Sequence, residues 1–193
     1  SNPLQQGWFV PHDVAGLAEL MGGREQALAK LEAFFEKAPD DFLWGDYYNH
    51  PNEPSHHIAF MFTELGRPDL TQKWVRRILE KAYNDDVKGL CGNDDVGQMS
   101  AWYVLAALGF NPMCPGSGKW ILSSPLFPEV KLRLGDHELV VRAQGAEDKQ
   151  NIYIRKVSVD GKPLARFYLT TAEILAAQRI DFELTANLGE VMK

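Results

Sequence analysis

The chain has 193 residues and a formal net charge of −6, with 45% hydrophobic and 24% charged residues, which is the composition of an ordinary globular protein. The acidic balance and the lack of a basic block argue against nucleic-acid binding, because phosphate contacts require clustered Lys and Arg. No run approaches the ~20 apolar residues of a membrane-spanning helix, so a membrane partner is not expected either.

Helical signals dominate the first part of the chain. Asp13 is a good N-cap for a short helix, and residues 24–37 carry apolar side chains at helical spacing. Ser55 is predicted to cap a helix that Gly66 ends, and Pro68 suits the first turn of the following helix. These segments predict helical hairpins over residues 8–110.

A glycine-flanked acidic loop, residues 92–98, runs directly into the next predicted helix, residues 98–108. That helix is apolar nearly all round, which predicts burial on most of its sides. The loop therefore brings carboxylates, amides and a helix N-terminus together at one point.

The pattern changes to strands after Gly109. The sequence predicts an α+β fold, in which helical hairpins are followed by a small antiparallel β unit over residues 119–188. The predicted domains are residues 1–118 and 119–193. The predicted strands alternate apolar and polar side chains or are bounded by turn signals, and the clearest cover residues 130–134, 139–142, 151–159 and 180–184. Residues 135–136 are predicted to form a turn, and residues 160–161 a hairpin turn.

Asp94 and Asp95 have two interpretations. Acids before a helix commonly cap its free N–H groups and suit its dipole. One cap is sufficient, however, and two ionised neighbours repel, so a functional role for one carboxylate is the second interpretation. Adjacent side chains diverge, so Asp94 and Asp95 can supply one role at a substrate but not two.

The segment from Asn52 to His57 also offers polar side chains. Oxygen groups such as those of Asn52, Glu53, Asp94 and Asp95 suit a hard cation like Ca²⁺. Two adjacent histidines, His56 and His57, would suit zinc better, but the His and Cys spacing of a zinc site is absent. Helix capping and satisfied structural histidines are the alternative interpretation of this segment.

Several aromatic residues, Trp8, Trp44, Tyr47 and Tyr48, lie in predicted loops, where a ring can stack on a sugar face. Loop aromatics combined with loop carboxylates are typical of a carbohydrate site.

Five segments together resemble the C-terminal part of the family 92 glycoside hydrolases, the bacterial, Ca²⁺-dependent, inverting exo-α-mannosidases. They occur in the order of that family and extend over nearly the whole chain. The segments are Trp8–Asp13, Asn52–His57, Gln72–Arg76, Gly92–Tyr103 and Cys114–Ser117.

The resemblance implies a fold and a set of roles. The helices would be the last ones of an (α/α)₆ toroid, and the β unit would be its closing segment. The general base would be Asp95, with Asp94 as second choice. The substrate-binding residues implied are Asn52, Glu53, His56, His57 and Trp8, and the Ca²⁺ ligands implied are Glu53, Asn52 and Asp95.

The resemblance also implies that part of the site is missing. The family pattern before Trp8 contains a Glu that resembles the general acid. Aligned on Trp8, residues Asn2 and Gln5 match the pattern, and the Glu falls one position before Ser1. The expectation is a catalytic fragment that is inactive alone and whose partner is the upstream half of the same parent enzyme.

Further expectations follow from this interpretation. The substrate would be a mannose-containing glycan, and the parent would be a periplasmic or secreted bacterial enzyme. A piece of a toroid should expose an apolar face, which predicts self-association. The rival hypotheses are a non-catalytic carbohydrate-binding or interaction module, and a helical protein whose acids are only caps.

Overall fold

The computed structural model describes residues 1–192 and shows an α+β fold with two compact units. The first unit, Ser1–Tyr103, is mainly helical, and the second begins at Val104 and is mainly β. The division falls before the predicted boundary at 118/119. The reason is that Leu108 and Phe110 belong to the hydrophobic core of the second unit.

Six helices precede the strands, and several begin at the predicted signals. The side chain of Asp13 accepts a hydrogen bond from the Gly16 amide at 2.8 Å, and Pro68 occupies the first turn of its helix. The helices are α1 (Pro3–Gln6), α2 (Val14–Leu20), α3 (Arg24–Glu36), α4 (Met61–Glu64), α5 (Pro68–Lys81) and α6 (Gln98–Leu108).

The first helix is not predicted by hydrophobic periodicity, because it is a single turn held by its cap. Asn2 Oδ1 accepts from the Gln5 amide and Gln5 Oε1 accepts from the Asn2 amide, both at 3.0 Å. This reciprocal pair is a capping box, and Pro3 occupies the first turn.

The single helix predicted after Ser55 is wrong. The segment instead contains two 3₁₀ turns, Glu53–Ser55 and Ile58–Phe60, followed by α4. Residues 55–62 are buried throughout. Side-chain bonds from the two histidines to main-chain carbonyls hold the segment in these tighter turns.

Aromatic rings fill the core of the first unit. The Phe35 ring stacks on Tyr48 with 4.3 Å between centroids and lies 5.2 Å from the Trp74 ring. Trp74 belongs to the buried face of α5, whose periodicity is the clearest in the sequence. Burial of these large rings contributes strongly to the stability of this unit.

Helix α6 is less buried than its sequence predicts. Met99 and Trp102 are fully buried, whereas Ala101 is exposed and Val104 is 53% exposed. Two apolar side chains of this helix are therefore exposed to solvent. Among the described residues, no helix combines the length and the apolarity needed to cross a membrane.

The second unit contains two sheets. The first has the strand order β1-β2-β7, and the second has the order β3-β4-β8-β5-β6. The strands are β1 (Phe110–Asn111), β2 (Lys119–Leu122), β3 (Glu129–Leu134), β4 (His137–Gln144), β5 (Tyr153–Val159), β6 (Lys162–Leu164), β7 (Tyr168–Thr170) and β8 (Arg179–Thr185).

The prediction of a purely antiparallel unit is wrong at one pairing. Strands β4 and β8 are parallel, with Val141 opposite Ile180. Parallel neighbours need a crossover connection, and here it includes β5, β6, β7 and the helix α7 (Thr171–Ala176). The predicted tight turns at 135–136 and 160–161 are confirmed, because each joins an antiparallel pair.

Candidate functional site

Asp94 acts as the cap of α6. Its Oδ1 accepts from the Ser100 amide at 2.9 Å, and its Oδ2 accepts from the Ser100 hydroxyl at 3.0 Å. Both carboxylate oxygens are thus engaged by the first turn of the helix. This geometry matches the capping interpretation for Asp94.

The three residues after Asp94 all have left-handed backbones. The φ angles are 44° at Asp95, 60° at Val96 and 90° at Gly97. This conformation is uncommon outside glycine, and Val96 is β-branched and fully exposed. Strain of this kind is concentrated at functional sites, and here it turns the chain between the Asp94 cap and the start of α6.

The Asp95 carboxyl lies against the carboxyl of Glu53, which comes from the 3₁₀ turn Glu53–Ser55. Glu53 Oε1 is enclosed and has no hydrogen-bond donor. Burial, followed by the facing Asp95 group, raises the pKa of Glu53. Two ionised carboxylates cannot donate to each other, so this pair needs a shared proton or a cation between its oxygens.

Replacing Val96 with glycine is expected to stabilise the chain by about 0.5–1 kcal/mol, because relief of the left-handed strain exceeds the added freedom of the unfolded chain. Urea unfolding measures the change. Val87→Gly is the matched control, since Val87 is also fully exposed but does not have a positive φ. A gain in both variants, or in neither, would contradict strain at Val96.

The two histidines point in different directions, as adjacent residues must. The Nε2 of His56 bonds to the His50 carbonyl at 3.0 Å, and its Nδ1 bonds to the side-chain Nε2 of Gln98 at 3.2 Å. The Nε2 of His57 bonds to the Trp8 carbonyl at 2.8 Å. Both rings are buried. In this arrangement they fix the backbone around Glu53.

The Trp8 ring differs from its predicted position. It is only 2% exposed and packs 6.0 Å from the Phe34 ring, so the indole is part of the core. The neighbouring Phe9 is 53% exposed, and its ring meets His57 edge-on at 5.5 Å. The sequence alone does not distinguish Phe9 from Trp8 as the exposed member of this aromatic pair. An exposed ring beside the segment 52–57 can offer a face to a sugar.

Acid is expected to destabilise the first unit. Burial lowers the pKa of His56 to about 4 and also lowers the pKa values of His50 and His57. Their neutral forms stabilise the fold above the unfolded value of about 6.5, and this stability is lost as pH falls towards 4. For His56, the fall from 6.5 to about 4 corresponds to about 3 kcal/mol.

Urea unfolding between pH 7.5 and 5 tests this expectation. His56→Gln should flatten the pH dependence, whereas His12→Gln, at an exposed histidine, should retain the wild-type profile. Equal pH profiles in the wild type and His56→Gln would contradict the assignment.

The side chains near Glu53 that could bind a metal ion offer oxygen atoms. Glu53 and Asp95 supply carboxylates, and Asn52 is adjacent in sequence. Within residues 1–192, no group of three or more His, Cys, Asp or Glu side chains is placed to hold a metal ion. Ca²⁺ takes six to eight oxygens, including amides, carbonyls and waters, so two carboxylates fit as part of its shell.

Comparison with known proteins identifies one family. Residues 1–186 match the glycosyl hydrolase family 92 catalytic domain. The structure superposes on the family GH92 α-mannosidase BT3965 of Bacteroides thetaiotaomicron with a TM-score of 0.87 and 32% identity, covering 95% of this chain. BT3965 has also been solved with mannoimidazole.

Two further proteins are also similar to this chain. The family GH92 inverting mannosidase BT2199 of the same organism has a TM-score of 0.83 and 35% identity over 97% of this chain. A protein of Arthroderma benhamiae described as an uncharacterized secreted glycosidase is 30% identical over 165 residues, or 84% of this chain. The chain spans 24% of BT3965, 28% of BT2199 and 20% of the Arthroderma protein.

Proposed function

Because this chain belongs to glycosyl hydrolase family 92, we propose that it forms part of an inverting α-mannosidase in which Asp95 holds the attacking water. The supporting observation is the different use of two adjacent acids. Asp94 gives both oxygens to Ser100, while Asp95 is exposed and lies against Glu53. The names of BT3965 and BT2199 support α-mannosides as the substrate class and inversion as the outcome.

The chemistry assigns Asp95 the role of general base. An inverting glycosidase needs a base-held water on one side of the sugar and a protonated acid on the other, with carboxyls roughly 6.5–9.5 Å apart. Glu53 lies directly against Asp95, so it is too close to be the opposite acid. Asp94 is engaged by α6. We therefore assign the acid to the upstream half of the parent polypeptide.

Glu53 then contributes to binding. Its enclosed Oε1 lacks a donor, and a cation held between Glu53 and Asp95 would satisfy it. We assign Glu53, Asn52 and Asp95 as protein ligands of Ca²⁺. These residues would hold the ion, which would supply Lewis-acid polarisation of the bound sugar. His56 and His57 keep the Glu53 segment in place through the His50 and Trp8 carbonyls, and Phe9 offers an apolar face beside them.

We propose partners and a location for the parent enzyme as well. The substrate is a mannose-containing glycan, and the protein partner is the upstream half of the parent enzyme. The secreted description of the Arthroderma relative supports a secreted or periplasmic parent. We also propose that the chain self-associates when it is alone, and the 53% exposure of Val104 is in line with this.

Mannose release from α-mannobiosides tests the proposal. The chain is assayed alone and as the assembled enzyme, meaning this chain together with the upstream half of its parent polypeptide. Turnover is expected only in the assembled enzyme, and EDTA should abolish it. Chelator-sensitive turnover by the 193-residue chain alone would refute the assignment of the acid to the upstream half. Sugar binding without turnover in the assembled enzyme would favour a carbohydrate-binding module.

A further inference from the structure

A buried chain of hydrogen bonds runs through three side chains of the first unit. The Tyr48 hydroxyl lies 2.8 Å from His50 Nδ1, and His50 Nε2 lies 2.7 Å from the Tyr83 hydroxyl. The Tyr83 hydroxyl in turn donates to the Met99 carbonyl at 3.1 Å. His50 and Tyr48 are both fully buried. We call this set the Tyr48–His50–Tyr83 relay.

The relay has one consistent proton arrangement. The single Tyr83 proton goes to the Met99 carbonyl, so the Tyr83 oxygen must accept from His50 Nε2–H. His50 Nδ1 is then bare and accepts from the Tyr48 hydroxyl. All three side chains are neutral in this arrangement. It leaves no ring nitrogen of His50 without a partner.

The relay reaches both elements that carry the facing carboxylates. On one side, the His50 carbonyl is bonded to Nε2 of His56, three residues after Glu53. On the other side, Met99 lies in the first turn of α6, and its amide donates to the Asp94 carbonyl at 3.2 Å. His50 therefore connects the Glu53 segment to the helix that follows Asp95.

Trp102 supports the same connection. Its Nε1 donates to the His56 carbonyl at 3.0 Å, and its ring lies 4.3 Å from the His50 ring. Apolar side chains of similar volume could fill this space, but they would not fix the position of the Glu53 segment relative to α6. A complete buried polar network does select a register, because any shift leaves a donor or acceptor unpaired.

We propose that the Tyr48–His50–Tyr83 relay sets the separation between the Glu53 and Asp95 carboxyls, with His50 as the positioning residue. This inference rests on the proposed function, because it explains how the base and its neighbour are held. None of the three relay side chains is a substrate-binding residue. They act through Met99 and His56.

Carboxyl-carbon NMR of the 193-residue chain tests the proposal at pH 7 with EDTA. Tyr83→Phe removes both the acceptor for His50 and the donor to Met99. It should shift the Glu53 and Asp95 carboxyl resonances together. Tyr103→Phe is the matched control, because its ring lies 4.9 Å from the Tyr83 ring and it has no place in the relay. The control should leave both resonances unchanged.

Rescue at His50 separates positioning from simple stability. His50→Gln retains a donor in place of Nε2–H, whereas His50→Leu retains only volume. The Gln variant should keep the two carboxyl resonances near their wild-type positions, and the Leu variant should move them. Urea unfolding shows how much of each sample is folded. If either His50 variant fails to fold, the Tyr83→Phe and Tyr103→Phe pair still decides the question.

A second readout uses the assembled enzyme. Tyr83→Phe is expected to lower kcat by about tenfold to a hundredfold with little change in KM, since a small misplacement of the base slows chemistry more than binding. Tyr103→Phe should keep the wild-type kcat. Unchanged carboxyl resonances in Tyr83→Phe and His50→Leu would overturn the proposal. An inactive wild type would refute the proposed function, while the NMR comparison would still decide the relay.

Discussion

Asp95→Asn is expected to lower kcat of the assembled enzyme by about 10²–10⁴, the usual contribution of a positioned general base. The substitution keeps the side-chain size but removes the group that takes a proton from water. KM should change less, because Asp95 is only one of the three proposed Ca²⁺ ligands. Initial rates of mannose release over a range of α-mannobioside concentrations measure both constants.

The adjacent acid provides the control. Asp94→Asn makes the same change of charge one residue away, and an amide oxygen can still accept from Ser100 at the start of α6. Its kcat should stay within about tenfold of the wild type, because a cap contributes to stability rather than to proton transfer. A larger loss in Asp94→Asn than in Asp95→Asn would reverse the assignment of the two acids.

Trp102→Ala is expected to destabilise the first unit by about 3–5 kcal/mol, the usual cost of removing a large buried ring. The indole is fully buried and contacts the His50, His56 and Tyr83 rings. Its loss also leaves the His56 carbonyl without the indole N–H. A protein of ordinary stability would lose a large part of its free energy of unfolding. Urea unfolding measures this loss.

Trp44→Ala is the matched control for this substitution. The Trp44 ring is 65% exposed, so its removal should change the free energy of unfolding by less than about 0.5 kcal/mol. Trp102→Phe separates the two contributions, since it retains an aromatic ring and loses only the indole N–H and some volume. Equal losses in Trp102→Ala and Trp44→Ala would contradict the burial of Trp102 beside the relay.

Local signals in the sequence predict much of the fold. Asp13 and Pro68 mark helix starts because capping and first-turn geometry depend on neighbouring residues alone. The turns at 135–136 and 160–161 are equally local. The parallel pairing of β4 and β8 is different, because it joins residues far apart in sequence and follows a crossover that alternation cannot reveal.

The candidate site, too, can be predicted only in part from the sequence. The sequence places two acids before a helix, but only the left-handed turn at Asp95 shows which one caps and which one meets Glu53. The burial of Trp8 and the exposure of Phe9 also depend on tertiary packing. The break in the helix around His56 and His57 has a similar origin, since His57 Nε2 bonds to the Trp8 carbonyl, which lies 49 residues earlier in the chain.

Proton NMR of freshly released mannose tests the role of Asp95 as the general base. The assembled enzyme is mixed with an α-mannobioside, and the anomeric signals are followed before mutarotation equilibrates them. If Asp95 holds a water that attacks the sugar from the face opposite the leaving group, the first product is β-mannose. First appearance of α-mannose would indicate a covalent intermediate and would contradict the role of Asp95 as the base.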